Sequence, residues 1–435
     1  MISVIIPVVR PENIEKLVQQ VHDNSGLQPC EIEVLWEEDV DSIGCPEMVK
    51  RLVARTQYEL VCFIGDDTSP QPGFLVEAIA AMQTLTDQVD VIDSRAWGLV
   101  GLNDKSGRRN PTHWIAHKKL LEFTGGDFFS TAYTHNFCDN ELWDIAEELG
   151  RYVYAEKAVV LHDHKVLDSD SDSEVLWSRS SSETNQASFG IDRATYTRRL
   201  IERRAARQPK HRRVALAFPI TDEKVSVDFM KSLLGMDLST VSEMLFPEHR
   251  PSEGYRDIAD VRTNMVRQAL QNGCTDVIFM DTDQTYAPDT VTKLMAISSF
   301  IVGAPVHRRW KPFDVVLRRG TLESYTLVPK EEAYSGDVIK VDATGTGCLR
   351  IDTAVFRALG GNPFIIGRGS RGQTIGEDIG FCSRARTAGF EILIDTSIQV
   401  GHNRTFTIDR NFSHMYGLFC EWAAKQDTGA TDAEA

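Results

Sequence analysis

Short apolar runs that stop at polar positions recur along this chain, and the order of the stops is repeated. Ser3-Val-Ile-Ile-Pro7 and Val214-Ala-Leu-Ala-Phe-Pro219 read as short strands, each closing on a proline. Helical material follows each one. A second apolar strand then runs straight into acids, as Leu60-Val-Cys-Phe-Ile-Gly-Asp66-Asp67 and as Asp276-Val-Ile-Phe-Met-Asp281-Thr-Asp283. From proline to last acid is 60 residues in one case (7 to 67) and 64 in the other (219 to 283). Further on, Asp139-Asn-Glu141 and Glu377-Asp378 each open a helix-like segment, followed by a glycine, an apolar strand and a histidine. Asp139 to His162 spans 23 residues, and Asp378 to His402 spans 24. The same order at nearly the same spacing predicts an internal duplication. Alternating strands and helices predict an α/β fold of two tandem, mostly parallel, Rossmann-like sheets with polar residues at strand ends, where open sheets bind ligands.

The expected units are residues 1–165 and 212–425. The segment 166–211 between them begins as a Ser/Asp-rich loop, Leu167–Ser182. It becomes Arg-rich from Arg193 to Arg213, with Tyr196, Leu200 and Ile201 at helical spacing. This reads either as a solvated linking helix against an acidic neighbour or as a basic lip for an anionic ligand. Residues 426–435 read as a disordered acidic tail.

The chain has 435 residues, a length for two or three domains, and 42% apolar and 25% charged residues exclude wholesale disorder. With 47 basic and 63 acidic side chains the net charge is −16. Residues 1–165 carry 14 basic and 27 acidic groups, so −13 of that total sits in the first unit. The balance disfavours nonspecific DNA binding through a broad basic face. No run approaches the roughly 18 apolar residues of a membrane span. The start at Ile2–Val9 lacks a basic leader and is broken by Pro7, unlike a signal peptide. The eight cysteines contain no Cys-x-x-Cys pair, which predicts reduced thiols in a cytoplasmic protein rather than a disulfide frame or zinc site.

Asp281 and Asp283, one residue apart past a buried strand, would in extended spacing point to one side and reach one cation. Carboxylates beside a phosphorylated substrate suit Mg²⁺ or Mn²⁺, and His402 as third ligand would favour manganese. Such an ion would neutralise a diphosphate leaving group. At the helix start Glu377-Asp378, one acid could take the proton of an acceptor hydroxyl while the other orients it or the donor. Gly345, Thr346 and Gly347 would allow close backbone approach to substrate. Arg262, Asn264 and Arg267 share a helix-like segment suited to phosphate or base. Each feature also has an ordinary structural reading as a cap, a turn or a surface charge. Their joint order is the signal.

In these motifs the chain resembles nucleotide-sugar glycosyltransferases of the GT-A fold, family 2 in style. The second unit carries the fuller set: Pro219, Arg262-Thr-Asn264, Asp281/Asp283, Gly345-Thr-Gly-Cys-Leu-Arg-Ile-Asp352, Glu377-Asp378 and His402. The resemblance implies that Asp281, Asp283 and His402 hold the metal–diphosphate, with Pro219, Arg262, Asn264, Arg267 and Gly345–Gly347 around the donor. It implies an inverting displacement with Asp378 as base and Glu377 as orienter or donor contact. The donor is then a UDP- or GDP-linked sugar, and the acceptor a saccharide, a protein or a modified DNA base in a bacterial or host-cell cytoplasm, as in bacteria and their phages. Gly303–Arg309 is expected near phosphate or acceptor. The first unit resembles the family through Asp66, Asp67, His162 and His164, with Asp66, Asp67 and His162 as candidate metal ligands, Asp139 or Glu141 as candidate base and Glu38 and Asp39 as base or ribose contacts. It departs in its adjacent acids, in Asn140 within the later pair, and in lacking a Gly-Thr-Gly loop. A second transferase and a non-catalytic binding partner both remain open for it. A sugar-phosphate nucleotidyltransferase shares the layout but normally has a Gly-rich basic loop after its first strand, and neither Pro7-Val-Val-Arg10 nor Pro219-Ile-Thr-Asp222 is one.

Overall fold

A computed structural model describes residues 1–85, 96–106, 110–162, 183–206, 212–220, 225–247, 257–310, 312–369, 372–404 and 410–427. The expected loop Leu167–Ser182, Arg207 and His164 lie outside these residues, as do positions 428–435 of the expected tail. Residues 426–427 instead end a helix, Arg410–Asp427.

The first seven strands are β1 (Ile2–Val8), β2 (Ile32–Glu38), β3 (Leu60–Phe63), β4 (Thr68–Pro70), β5 (Leu99–Asn103), β6 (Trp114–His117) and β7 (Tyr152–His162). In chain order there follow β8 (Val214–Ala217), β9 (Val241–Leu245), β10 (Asp276–Met280), β11 (Gln284–Tyr286), β12 (Ile301–Gly303), β13 (Leu317–Arg319) and β14 (Thr326–Leu327). The last are β15 (Val338–Val341), β16 (Ala343–Thr344), β17 (Cys348–Asp352), β18 (Gly367–Arg368), β19 (Thr374–Ile375), β20 (Ile392–Asp395) and β21 (Val400–His402).

Two seven-stranded sheets result, ordered β2-β1-β3-β6-β5-β7-β4 and β9-β8-β10-β17-β12-β20-β15. Six strands correspond one to one, and in both sheets the fourth strand runs antiparallel to its neighbours within an otherwise mostly parallel set. This is the expected α/β architecture. Buried runs such as Val277–Met280 and Val214–Ala217 are fully enclosed, as strands covered on both faces must be. β1 continues through Pro7, which the sequence had marked as its end, and pairs with β2 as far as Val8. The single apolar strand expected before His402 is two, β20 and β21. Asp395 accepts a hydrogen bond from the Ser397 amide at 2.9 Å, turning the chain out of the sheet so that β21 pairs with β11 instead.

The Arg-rich segment forms the helix Glu183–Ala206, whose Arg199, Arg203 and Arg204 face acids of both halves while Arg198 stays exposed beside Glu202. Arg199 and Arg203 hold Glu141, at 2.9 and 3.3 Å, and Arg203 also reaches Glu148 at 3.0 Å. Arg204 joins Glu148 (2.8 Å) to Asp352 (3.1 Å), the residue that ends β17 and caps the helix Thr353–Leu359. Asp144 receives the Tyr196 hydroxyl at 2.5 Å and an ion pair from Arg357 at 2.7 Å. Tyr196 and Leu200 are fully buried, and the largest apolar core runs through them from Trp114 and Phe129 to Val355 and Phe356. The basic stretch is therefore the clasp between the two halves. All eight cysteines are free, and among the described residues no helix is long and apolar enough to cross a membrane.

Candidate functional site

The carboxyl ends of β10 and β21, the amino end of the antiparallel β17 and the start of the helix Glu377–Thr387 gather most of the second-half candidates. Asp281 and Asp283 lie in the turn between β10 and β11, not in the extended chain expected from their spacing, so they diverge. Asp281 accepts from Arg262 Nη2 at 3.0 Å. Asp283 faces His402 Nε2 at 3.2 Å and Arg309 at 2.9 Å. The register Gln284↔His402 in the β11–β21 ribbon delivers the histidine, and the Asn403 amide bonds the Asp283 carbonyl at 2.8 Å. His402 Nδ1 donates to the His307 carbonyl at 2.6 Å, which turns Nε2 toward Asp283.

Burial works to raise Asp283, but the hydrogen bond from His402 and the charge of Arg309 outweigh it and hold the carboxyl below its ordinary value. His402 moves the opposite way: burial opposes its charge, and Asp283 and the His307 carbonyl win. A carboxylate and an imidazole nitrogen oriented by a backbone carbonyl are donors that suit Mn²⁺. Among the described residues, however, no three His, Cys, Asp or Glu side chains converge as a preformed metal site. Asp281 is held off by Arg262.

The Gly345–Gly347 loop links the two chemical sides. A Cβ on Gly347 would stand 2.2 Å from Gln284 Nε2 and 2.9 Å from Asp281 Oδ2, and one on Gly345 3.9 Å from Asp378 Oδ2. Any larger residue at 347 would force Gln284 and Asp281 to move. The Gly347 carbonyl accepts from the Asp281 amide at 3.0 Å. Thr346 is buried, and its hydroxyl has no protein partner. Asp378 accepts from the Ile379 amide at 2.7 Å, and burial, opposed by that bond and by Arg262 and Arg318, pushes its carboxyl above the ordinary value. Burial raises Glu377 as well, against the charge of Arg262, which it contacts directly.

Arg267 and Asn264, both expected beside the donor, stand apart. Arg267 bonds Asn264 (3.0 Å) and Asn362 (2.8 Å) at the surface, so neither reaches the acids. Pro219 is buried just beyond β8. Sequence reasoning missed Tyr286, whose hydroxyl lies 2.8 Å from the carbonyls of both Asp281 and Gly347, and Gln284, buried between them. The only sequence signal for either was proximity to the acids.

In the first half, the register Thr68↔His162 repeats Gln284↔His402 and sets His162 3.3 Å from Asp67. By the same count Asp67 corresponds to Asp283 and Gly65 to Asp281. Asp66 is bound by the amides of Val9 and Arg10, each at 2.6 Å, and Arg10 pairs with Asp66 and Asp67 at 3.3 and 3.0 Å. His113, unmarked in the sequence, packs edge-on against His162 with centroids 5.0 Å apart. Burial, then the charge of His162, pushes it down to about 4. Asp139 accepts from the Asn140 amide at 2.9 Å, at the helix position Asp378 holds in the other half. Glu141 points away, into the clasp. Asp39 accepts from the amides of Ile43 and Gly44, at 2.7 and 3.0 Å, closing its own loop.

No protein-family model and no curated protein matches this chain. Solved structures match parts of it. A197 from STIV is 15% identical over 44% of this chain and 86% of its own, with a TM-score of 0.32. A mannosyltransferase from Pyrobaculum calidifontis in complex with GDP-Man and Mn²⁺ is 13% identical over 47% of this chain and 63% of its own, at 0.30. TarS from S. aureus is 16% identical over 37% of this chain and 60% of its own, at 0.27. This chain spans less than two thirds of the last two.

Proposed function

We propose that residues 212–425 form a glycosyltransferase module that moves a sugar from a UDP- or GDP-linked donor to a hydroxyl of a saccharide, protein or modified DNA base, with inversion. One observation carries this reading. The Gly345–Gly347 loop, with its unpartnered Thr346 hydroxyl, lies between Asp281 on one side and Asp378 on the other, with Asp283–His402 on the adjoining ribbon. An acidic donor-side site and a buried carboxylate are thereby set either side of backbone that a substrate can approach.

Asp283 and His402 would hold a divalent ion, Mn²⁺ or Mg²⁺, with Asp281 on the nucleotide side. Bound there, the ion supplies positive charge to the departing diphosphate. Asp378 takes the proton of the acceptor hydroxyl, whose oxygen bonds to the anomeric carbon as the carbon–oxygen bond to phosphate breaks and its electron pair leaves with the nucleoside diphosphate. Pro219, Arg309 and the Gly-Thr-Gly backbone border the donor. Residues 1–165 form a related module, and 166–211 joins the two.

The test incubates the protein with Mn²⁺ and a panel of UDP- and GDP-sugars and measures released nucleoside diphosphate. Asp283→Ala is expected to abolish release. Pyrophosphate release from a nucleoside triphosphate plus a sugar phosphate would replace this reading with a nucleotidyltransferase.

A further inference from the structure

Arg262 is expected from sequence among the nucleotide contacts, yet it is only 4% exposed and both ends of its guanidinium are already engaged. It rises from the helix Ile258–Gln271, one nitrogen on Asp281 at 3.0 Å and the other on Glu377. These acids stand 19 and 115 residues away in sequence. Asp281 follows β10 on the donor side, and Glu377 opens the helix that carries the proton acceptor Asp378. A planar fork with donors on two sides is the group that can fix two carboxylates in one geometry, and a lysine cannot do so.

The first half supplies the contrast. Gly65 stands where Asp281 stands, and Cys138, first residue of the helix Cys138–Glu148, stands where Glu377 does. The arginines of the preceding helix Cys45–Arg55 are spent at the surface, Arg51 on Glu37 and Glu47 and Arg55 on Glu37. The Asp–His pair and the aspartate at the second position of the helix are kept in both halves, while this three-membered unit is missing as a whole from one.

We propose that Arg262 is a positioning residue that locks Asp281 to Glu377, fixing the donor side of the second-half site against its acid pair, and that this lock distinguishes the transferring half from the first. The inference rests on the transferase reading above. It also predicts that Arg262 is not itself a nucleotide contact.

Two measurements test it. In urea unfolding, Arg262→Ala, Glu377→Gln and the double variant form a cycle that needs no substrate. A lock predicts a coupling of about tenfold or more in the unfolding equilibrium constant, and additivity within about twofold overturns it. In turnover of UDP-glucose, UDP-N-acetylglucosamine and GDP-mannose with Mn²⁺, Arg262→Ala should lower kcat by about 100-fold, the scale of a roughly 1 Å misplacement. KM for the donor should stay within about threefold, as expected for an interaction that acts on the transition state alone. Arg262→Lys should stay impaired, and millimolar guanidinium ion should restore part of the rate to Arg262→Ala. A rise in donor KM at unchanged kcat would make Arg262 a nucleotide contact and sink the proposal. If the parent protein turns over none of these donors, the transferase reading fails with the kinetic consequence, and the unfolding cycle still accepts or rejects the lock.

Discussion

Asp144→Asn should loosen the grip between the two halves more than any surface change of the same size. The carboxyl is 1% exposed and meets three cationic or donor groups: Tyr196 hydroxyl at 2.5 Å, Arg357 at 2.7 Å and Arg203 at 3.6 Å. Its helix belongs to the first half, Arg357 to the second, and Tyr196 and Arg203 to the helix between. The amide removes the charge and turns an NH₂ donor toward groups that are themselves donors. Removing one member of a buried pair costs about 3–5 kcal/mol, because the partner is left charged without compensation. Whole-domain stabilities are only about 5–15 kcal/mol. At a urea slope near 3 kcal/mol/M, that loss lowers the midpoint by about 1 to 1.7 M. The comparison is Asp127→Asn, which breaks an exposed pair with Lys50 at 3.2 Å and should cost under about 1 kcal/mol. Asp144→Leu combined with Arg357→Met, which leaves no stranded charge at that contact, should recover part of the loss. Intrinsic fluorescence and circular dichroism read the transitions. A midpoint for Asp144→Asn within about 0.3 M of the parent, or no larger shift than Asp127→Asn, would refute the clasp.

Gly347→Ala should reduce nucleoside diphosphate release by about 100-fold while shifting stability far less. The new methyl meets Gln284 and Asp281 at 2.2 and 2.9 Å and must displace these two side chains of the proposed donor side. Because burial holds the Asp378 carboxyl above its ordinary value, release should fall with acid pH through a midpoint higher than that of a free aspartate, as the base takes up its proton. Asp378→Asn should remove the activity rather than move that limb. Glu147, beside Arg357 and Asp144, is pushed up to about 7, chiefly by burial. The folded state therefore binds the extra proton, and stability should fall as pH rises from about 4.5 to 7. Glu147→Gln should stabilise the protein at pH 8, by at most about 3 kcal/mol, and do little at pH 4.5.

The doubled α/β architecture was legible because buried strands leave apolar runs and the stops repeat at matched spacing. The acids at strand ends and the late histidine could be found for the same reason. What the pattern could not carry was direction. Asp281 and Asp283 look like a pair on one side, yet a turn sends one to Arg262 and the other to His402. Arg199, Arg203 and Arg204 look available for an anion, but their partners, Glu141, Glu148 and Asp352, lie between 55 and 148 residues away. In sequence Asp352 stood only as the end of the Gly345–Asp352 motif, and nothing marked Glu148. Glu141, one of the candidate bases, is consumed by the same network. Tyr286 was invisible because nothing in a local pattern marks a hydroxyl that steadies backbone carbonyls, and Gln284 because nothing marks a buried amide beside it.

The strand β17 is five residues long, with Gly347 just before its first residue and Asp352 as its last. One end approaches Asp281, and the other is gripped by Arg204 from the linking helix. A β-strand held in the middle of a sheet transmits push and pull along its length with little give, over about 17 Å here at roughly 3.3 Å per residue. The fastening between the halves and the loop beside Asp281 are thus the two ends of one short central strand, so the joint helps set where that loop stands.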